Sequence, residues 1–228
     1  MSQPKEPKKL NILYEDNHLI FVEKSVNIPV QADSSGDEDL QTALKRYIKE
    51  KYQKPGEVFL GIAHRLDRPV GGAMVFCKTS KAAARVSEQI RKNEMGKVYL
   101  AVVCGNAESG QNTLINYLVK DEKNNMVRTC EEGEKGAKYA ELAYKVVGRN
   151  GDLSLVSVTL KTGRSHQIRV QMKAAGLPLW GDNRYGSGKP GQQIALWSSR
   201  ITLIHPTKKE PLTVVSAPPK QHPWSLFV

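Results

Sequence analysis

The sequence predicts an α+β fold: one domain on a large mixed, mostly antiparallel sheet flanked by helices and loops. Short β-rich segments recur along the 228 residues, while only three stretches carry helical periodicity. Two long β-rich runs are joined by Arg149-Asn150-Gly151-Asp152, and Asn-Gly is a strong hairpin signal. No repeat and no break in composition marks a second domain, and this length can bury one sizeable core.

In chain order, residues 1–9 are polar and lysine-rich and are expected to form a disordered basic arm, with a single domain from 10 to 228. Leu10 to Lys24 reads as two strands around the turn Glu15-Asp16-Asn17. Leu40, Ala43, Leu44, Tyr47 and Ile48 then recur at helical spacing, after acidic residues that suit a helix's positive end. Ala73 to Cys77 is a buried strand, and Thr79 or Ser80 caps a helix whose apolar side carries Ala83, Val86 and Ile90. Lys97 to Val103 is β-rich. Glu108 to Gln111 and Asp121 to Asn125 read as hairpin connections. Tyr139 to Val147 and Leu153 to Leu160 are the paired long strands. Ser165 is expected to cap a short helix that runs to Ala175 and stops at Gly176, with Pro178 beyond it. Gly181 to Gly191 is a glycine-rich loop, Ile194 to Ile204 a strand, and the tail from His205 is proline-rich.

Composition narrows the function. A hydrophobic share of 39% is that of a folded chain, and no apolar run approaches the roughly 18 residues of a membrane span. No secretory h-region opens the sequence, so a cytoplasmic protein without a membrane partner is expected. Cys77, Cys104 and Cys130 are odd in number and far apart, against a disulfide framework. Scattered histidines and the lack of a Cys/His cluster argue against a metal site. The net charge of +11 favours polyanions, nucleic acid above all.

Two segments carry the chemistry. In His64-Arg65-Leu66-Asp67-Arg68-Pro69-Val70-Gly71-Gly72 one carboxylate stands between two guanidinium groups, which favour the charged form of an acid. Pro69 fixes φ and keeps Arg68 out of helical geometry, so Asp67 is expected on a rigid extended loop. In Thr162-Gly163-Arg164-Ser165-His166-Gln167-Ile168-Arg169 a strand turns into a helix, where free N–H groups can hold an anion or a guanidinium can meet a carboxylate from elsewhere.

Both segments resemble the signature motifs of the RluA-type pseudouridine synthases. So do Lys97-Val98-Tyr99, Gly181-Asp182 with Tyr185-Gly186, Leu196 in its strand, and His205-Pro206, all in the family's order. The resemblance implies an isomerase that converts uridine in structured RNA, ribosomal or transfer, to pseudouridine without a cofactor. Asp67 matches the nucleophile, attacking either carbon 6 of uracil or the anomeric carbon of ribose. Arg164 matches the arginine that pairs with it, and Tyr99 the tyrosine that packs on the base and moves a proton late in the reaction. His64, Arg65, Arg68, His166 and Leu196 are the expected contacts to RNA and uridine. Arg65 is the residue expected to fill the stack vacated by an extruded base.

Many members read Thr-Ser-Gly where this chain has Val70-Gly71-Gly72, a change expected to alter loop rigidity and not activity. The chain is expected to be a monomer and to consist of the catalytic domain alone, without the separate N-terminal RNA-binding module of some relatives. Lys161-Thr162-Gly163 lacks the companion motifs of penicillin-binding enzymes, and Gly186-Ser187-Gly188-Lys189-Pro190 lacks phosphate-loop spacing. The rival from another class is a non-catalytic RNA-binding platform. The two readings part at Asp67, which only the enzyme needs.

Overall fold

A computed structural model describes residues 10–227. The expected basic arm lies outside them. The described residues form one domain around an 11-stranded sheet, mixed by a single parallel pairing among them. In chain order the elements are β1 (Asn11–Glu15), β2 (Leu19–Lys24), α1 (Leu40–Lys51), β3 (Gly61–Ile62), β4 (Gly71–Cys77), α2 (Ser80–Arg91) and β5 (Gly96–Cys104). There follow β6 (Gln111–Asp121), β7 (Met126–Cys130), β8 (Lys138–Asn150), β9 (Leu153–Leu160), α3 (Gln167–Ala174), β10 (Leu196–Ile204) and β11 (Pro211–Val215). The sheet runs β1-β2-β4-β10-β5-β9-β8-β6-β7, with β3 added to β4 and β11 to β10. No helix among the described residues is long and apolar enough to cross a membrane.

β2 and β4 are continuous apolar runs because both their faces are covered. Ile20, Val22, Met74 and Phe76 face Leu40, Leu44 and Ile48 of α1. Leu19, Phe21, Ala73 and Val75 face Ala82 and Val86 of α2. Each of these side chains other than the alanines contributes about 1.5–3 kcal/mol on burial. Caps set where the two helices begin. Asp39 Oδ1 accepts from Thr42 N–H at 3.0 Å, and Thr79 Oγ1 from Ala82 N–H at 3.1 Å.

Two features position the site. β4 pairs with β3 through Phe76 and Cys77 but with β10 through Gly71 and Gly72, so the loop between β3 and β4 emerges where the sheet forks. Two glycines let β10 come close there. A Cβ on Gly71 would stand 2.3 Å from the Trp197 ring, and one on Gly72, at φ +113, 2.3 Å from Ser198 O.

The start of α3 differs from expectation. Ser165 does not cap it; the N-cap is His166, in the left-handed conformation (φ 51, ψ 17) without a side-chain cap. The turn is held instead by Gln167, whose Oε1 accepts from Thr162 Oγ1 at 2.8 Å and Arg164 N–H at 2.9 Å. At the other end Gly176 is left-handed (φ 76), as expected of a residue that stops a helix.

Candidate active site

The loop that carries Asp67 is held at each successive carbonyl from Asp67 to Val70. Asp67 O accepts from Val70 N–H at 2.9 Å, closing a tight turn. Arg68 O accepts from Asn27 N–H and, at 2.9 Å, from Lys24 Nζ. Pro69 O accepts from Gln193 Nε2, and Val70 O from Lys24 Nζ at 2.8 Å. Lys24 is fully buried, so its ammonium acts as an internal pin for the loop. The rigidity read from Pro69 therefore has a second source that the sequence did not reveal.

Asp67 keeps 27% of its side chain exposed and faces a cleft of about 530 Å³. Tyr99, Leu196, His64, Arg65, His166, Arg164 and Arg169 line the same cleft. A second cleft of about 590 Å³ meets it at Arg65, Asp67, His166 and Arg169 and adds Arg68, Lys120 and Arg184.

The cation that meets Asp67 is Arg169, which corrects the expected pairing with Arg164. Arg169 Nη1 lies 3.4 Å from Asp67 Oδ2, while Nε and Nη2 donate to Asp182 Oδ2 and Oδ1 at 2.8 and 2.7 Å. Arg164 is exposed, and its Nε donates to Tyr139 O at 2.8 Å. The reason is geometric: the left-handed turn at His166 leaves Arg164 on the outer limb and carries Arg169, in the first turn of α3, toward the Asp67 loop. Burial works against the charge on Arg169, but Asp182 and Asp67 outweigh it and hold its pKa above the ordinary value. Burial likewise opposes ionisation of Asp182, and Arg169 wins there, keeping that carboxyl low.

A third layer fixes the ring of His166. Val127 N–H donates to Tyr185 Oη at 2.9 Å, and the same hydroxyl shares a hydrogen bond with His166 Nδ1, 2.6 Å away. The other ring nitrogen, Nε2, faces Asp67 Oδ2 at 3.8 Å. Burial lowers the His166 pKa, and Arg169 and Arg184 add to this against Asp67 and Asp182. Arg169 also stacks on the Tyr185 ring, 4.9 Å from its centroid.

Tyr99 is 6% exposed, and burial, with the charge of Asp67, raises its pKa and keeps the phenol protonated; Ser198 opposes this weakly. Leu196 is buried on β10, paired across to Ala101 of β5. His64 lines the cleft but turns its nitrogens inward. Nε2 accepts from Val75 N–H at 3.2 Å and Nδ1 is buried, with burial pushing the imidazole down to about 3. Arg68 points away from the first cleft and pairs with Asp33 and Asp37 of the loop before α1. Arg169, Asp182, Tyr185 and Lys24 are the residues that sequence reasoning left without a role. The first three stand inside the quoted motifs, where only the fold tells the second arginine from the first.

The family described as RNA pseudouridylate synthase matches residues 18–174 of the chain. Over 215 residues the chain is 34% identical to an uncharacterized RNA pseudouridine synthase of Bacillus subtilis, covering 92% of this chain and 68% of that protein. It is 31% identical over 215 residues to the ribosomal large subunit pseudouridine synthase C of Buchnera aphidicola subsp. Schizaphis graminum, covering 90% of this chain and 66% of that one. The chain thus spans about two thirds of the length of these curated relatives. Among solved structures it is similar to human RNA Pseudouridylate Synthase Domain Containing 1, with a TM-score of 0.75, 25% identity, and 99% and 91% of the two chains covered. Human RNA Pseudouridylate Synthase Domain Containing 4 shares the fold at a TM-score of 0.79 and 21% identity, over 95% and 91% of the chains.

Proposed function

Since the chain belongs to the RNA pseudouridylate synthase family, isomerases that act on RNA, we propose that it converts a specific uridine of a structured RNA to pseudouridine with Asp67 as the nucleophile. The observation that carries this is one carboxylate, Asp67, on a pinned loop, facing a cleft whose other charged side chains are cationic.

The chemistry asks for a charged, oriented acid and little else. Asp67 attacks the nucleoside at carbon 6 of uracil or at the anomeric carbon, the glycosidic bond breaks, the base turns and rejoins the ribose through carbon 5, and the bond to Asp67 breaks to return the free carboxylate. The proton lost from carbon 5 is balanced by the one gained at nitrogen 1, so the reaction conserves atoms and oxidation state. Arg169, itself fixed by Asp182, orients the carboxylate through a charge-assisted contact. His166 faces it through Nε2. Tyr99 and Leu196 pack the uracil, and burial keeps the Tyr99 phenol protonated while the base is held. Arg65, exposed at the junction of the two clefts, fills the vacated stack. Arg68 and Arg184 in the second cleft take the strand beyond the extruded nucleotide, and His64 braces the loop against β4.

Ribosomal RNA is the substrate we favour, because the synthase C relatives are named for the ribosomal large subunit; transfer RNA is the alternative. Mapping pseudouridine across total RNA from cells with and without this gene tests both activity and target. A site that disappears with the gene is the expected result; an unchanged map refutes the reading.

A further inference from the structure

Lys97 and Arg164 line the Asp67 cleft, and the chemistry above uses neither. Lys97 lies two residues before Tyr99 on β5, so both side chains leave the same face of the strand. They are about 7 Å apart along it, comparable with the separation of a base from its own phosphate. The ammonium of Lys97 rests against the turn before α3: a Cβ on Gly163 would be 3.2 Å from Nζ, so the glycine leaves room for it. Arg164 follows directly, and its Nε bond to Tyr139 O steadies the guanidinium while its two amino groups stay available. Among the described residues no carboxylate is within ion-pair distance of either cation, and burial lowers the Lys97 pKa. Asp67, the anion lining the cleft, is held by Arg169. A half-buried cation without a partner is costly, and an incoming anion offsets that cost.

We propose that Lys97 and Arg164 grip the phosphate of the target uridine, so that the cleft takes a nucleotide by its phosphate as well as its base. This rests on the RNA-isomerising reading and extends it. Lys97 supplies a compact point charge and Arg164 a planar fork for the phosphate oxygens. Both are positioning residues: they set where the base lies against Tyr99 and Asp67. Arg164 is then an RNA contact and not the carboxylate's partner.

The test is fluorescence anisotropy with a labelled oligo(U) between about 50 and about 200 mM salt, where each phosphate contact to a single strand contributes about 0.7 to the slope of log affinity against log salt. Because the two cations share one phosphate, the double variant Lys97→Met/Arg164→Gln is expected to lower the slope by about 0.7 and each single variant by part of that, with Lys97→Arg restoring it and the exposed Lys208→Met leaving it unchanged. An unchanged slope in Arg164→Gln, or in a folded Lys97→Met, overturns the proposal. A Lys97→Met that keeps the slope and loses turnover overturns it too, by moving Lys97 into the chemistry. Oligo(U) binding needs no isomerisation, so an unchanged pseudouridine map would leave this readout intact and separate the two failures.

Discussion

Arg169 reaches Asp67 from 102 positions away in the chain, Nη1 to Oδ2 at 3.4 Å. The contact is long because the other two nitrogens of the guanidinium are fixed on Asp182, whose Oδ1 also accepts from the backbone of Arg184 and Tyr185. Asp182 therefore sets the position of the arginine, and the arginine sets the orientation of the acid. Such a pre-oriented pair has no reorganisation to undergo when charge moves.

The two arginines of the motif are expected to separate in mutants. Arg169→Ala should lower the single-turnover rate by about 10²–10³-fold, the cost of losing one preorganised electrostatic contact. Arg164→Ala should act mainly on RNA affinity and its salt dependence. Equal rate losses in the two variants would contradict the pairing seen here.

Lys24 pins the loop from inside, donating to the carbonyls of Ser25, Arg68 and Val70. Lys24→Met keeps the volume and removes those bonds, and hydrogen bonds from a charged donor contribute about 1.5–3 kcal/mol each. A fall in unfolding free energy of at least about 4.5 kcal/mol is expected from the three bonds together, with a loss in kcat larger than any change in KM. Denaturant unfolding and steady-state kinetics check both, and an unchanged kcat in the folded variant would remove the pin from the account.

Gly71 and Trp197 fill one space. Restoring the serine common in the family at position 71 drives a side chain into the indole, where a Cβ already meets the ring at 2.3 Å. Gly71→Ser is expected to destabilise by about 1–3 kcal/mol through overpacking. Combined with Trp197→Leu, the cost should be clearly less than the sum of the two single costs. Additive losses would show that the two positions do not share that space.

Glu15 joins β1 to α1 and to the end of β4 through Lys51, Lys78, Tyr47 and Tyr52. Burial raises its pKa, but these four donors outweigh it and bring the carboxyl down from 4.5 to about 2. The ionised form thus stabilises the fold above about pH 4.5, and the contribution is lost as pH falls toward 2. Glu15→Gln should be less stable than wild type at neutral pH, with the gap closing in acid. A gap independent of pH, measured by urea unfolding, would contradict it.

Local signals were legible and long-range ones were not. The β1–β2 turn, both capped helices, the Asn150-Gly151 hairpin and the αL stop at Gly176 each depend on residues within a few positions, and each was readable. The strands β3, β6, β7 and β11 were not named: β3 is two residues long, β6 and β7 showed only through the turns beside them, and β11 begins with Pro211, which suits an edge strand's first residue. Asp67 and Tyr99 could be singled out because their motifs are short and ordered. Telling Arg164 from Arg169 required the positive φ at His166, a conformation nothing in that residue's type announces. Lys24 looked like an ordinary strand end, and only the return of the loop above it shows what its charge holds.

The most direct measurement is pseudouridine yield at the mapped uridine, in a synthetic RNA under single-turnover conditions, with wild type and Asp67→Asn. Asp67→Asn keeps the shape of the side chain and removes its charge, so no product is expected while RNA affinity stays within a few-fold of wild type. Product formed by Asp67→Asn at a rate near that of wild type would contradict the nucleophilic role of Asp67 and everything built on its contact with Arg169.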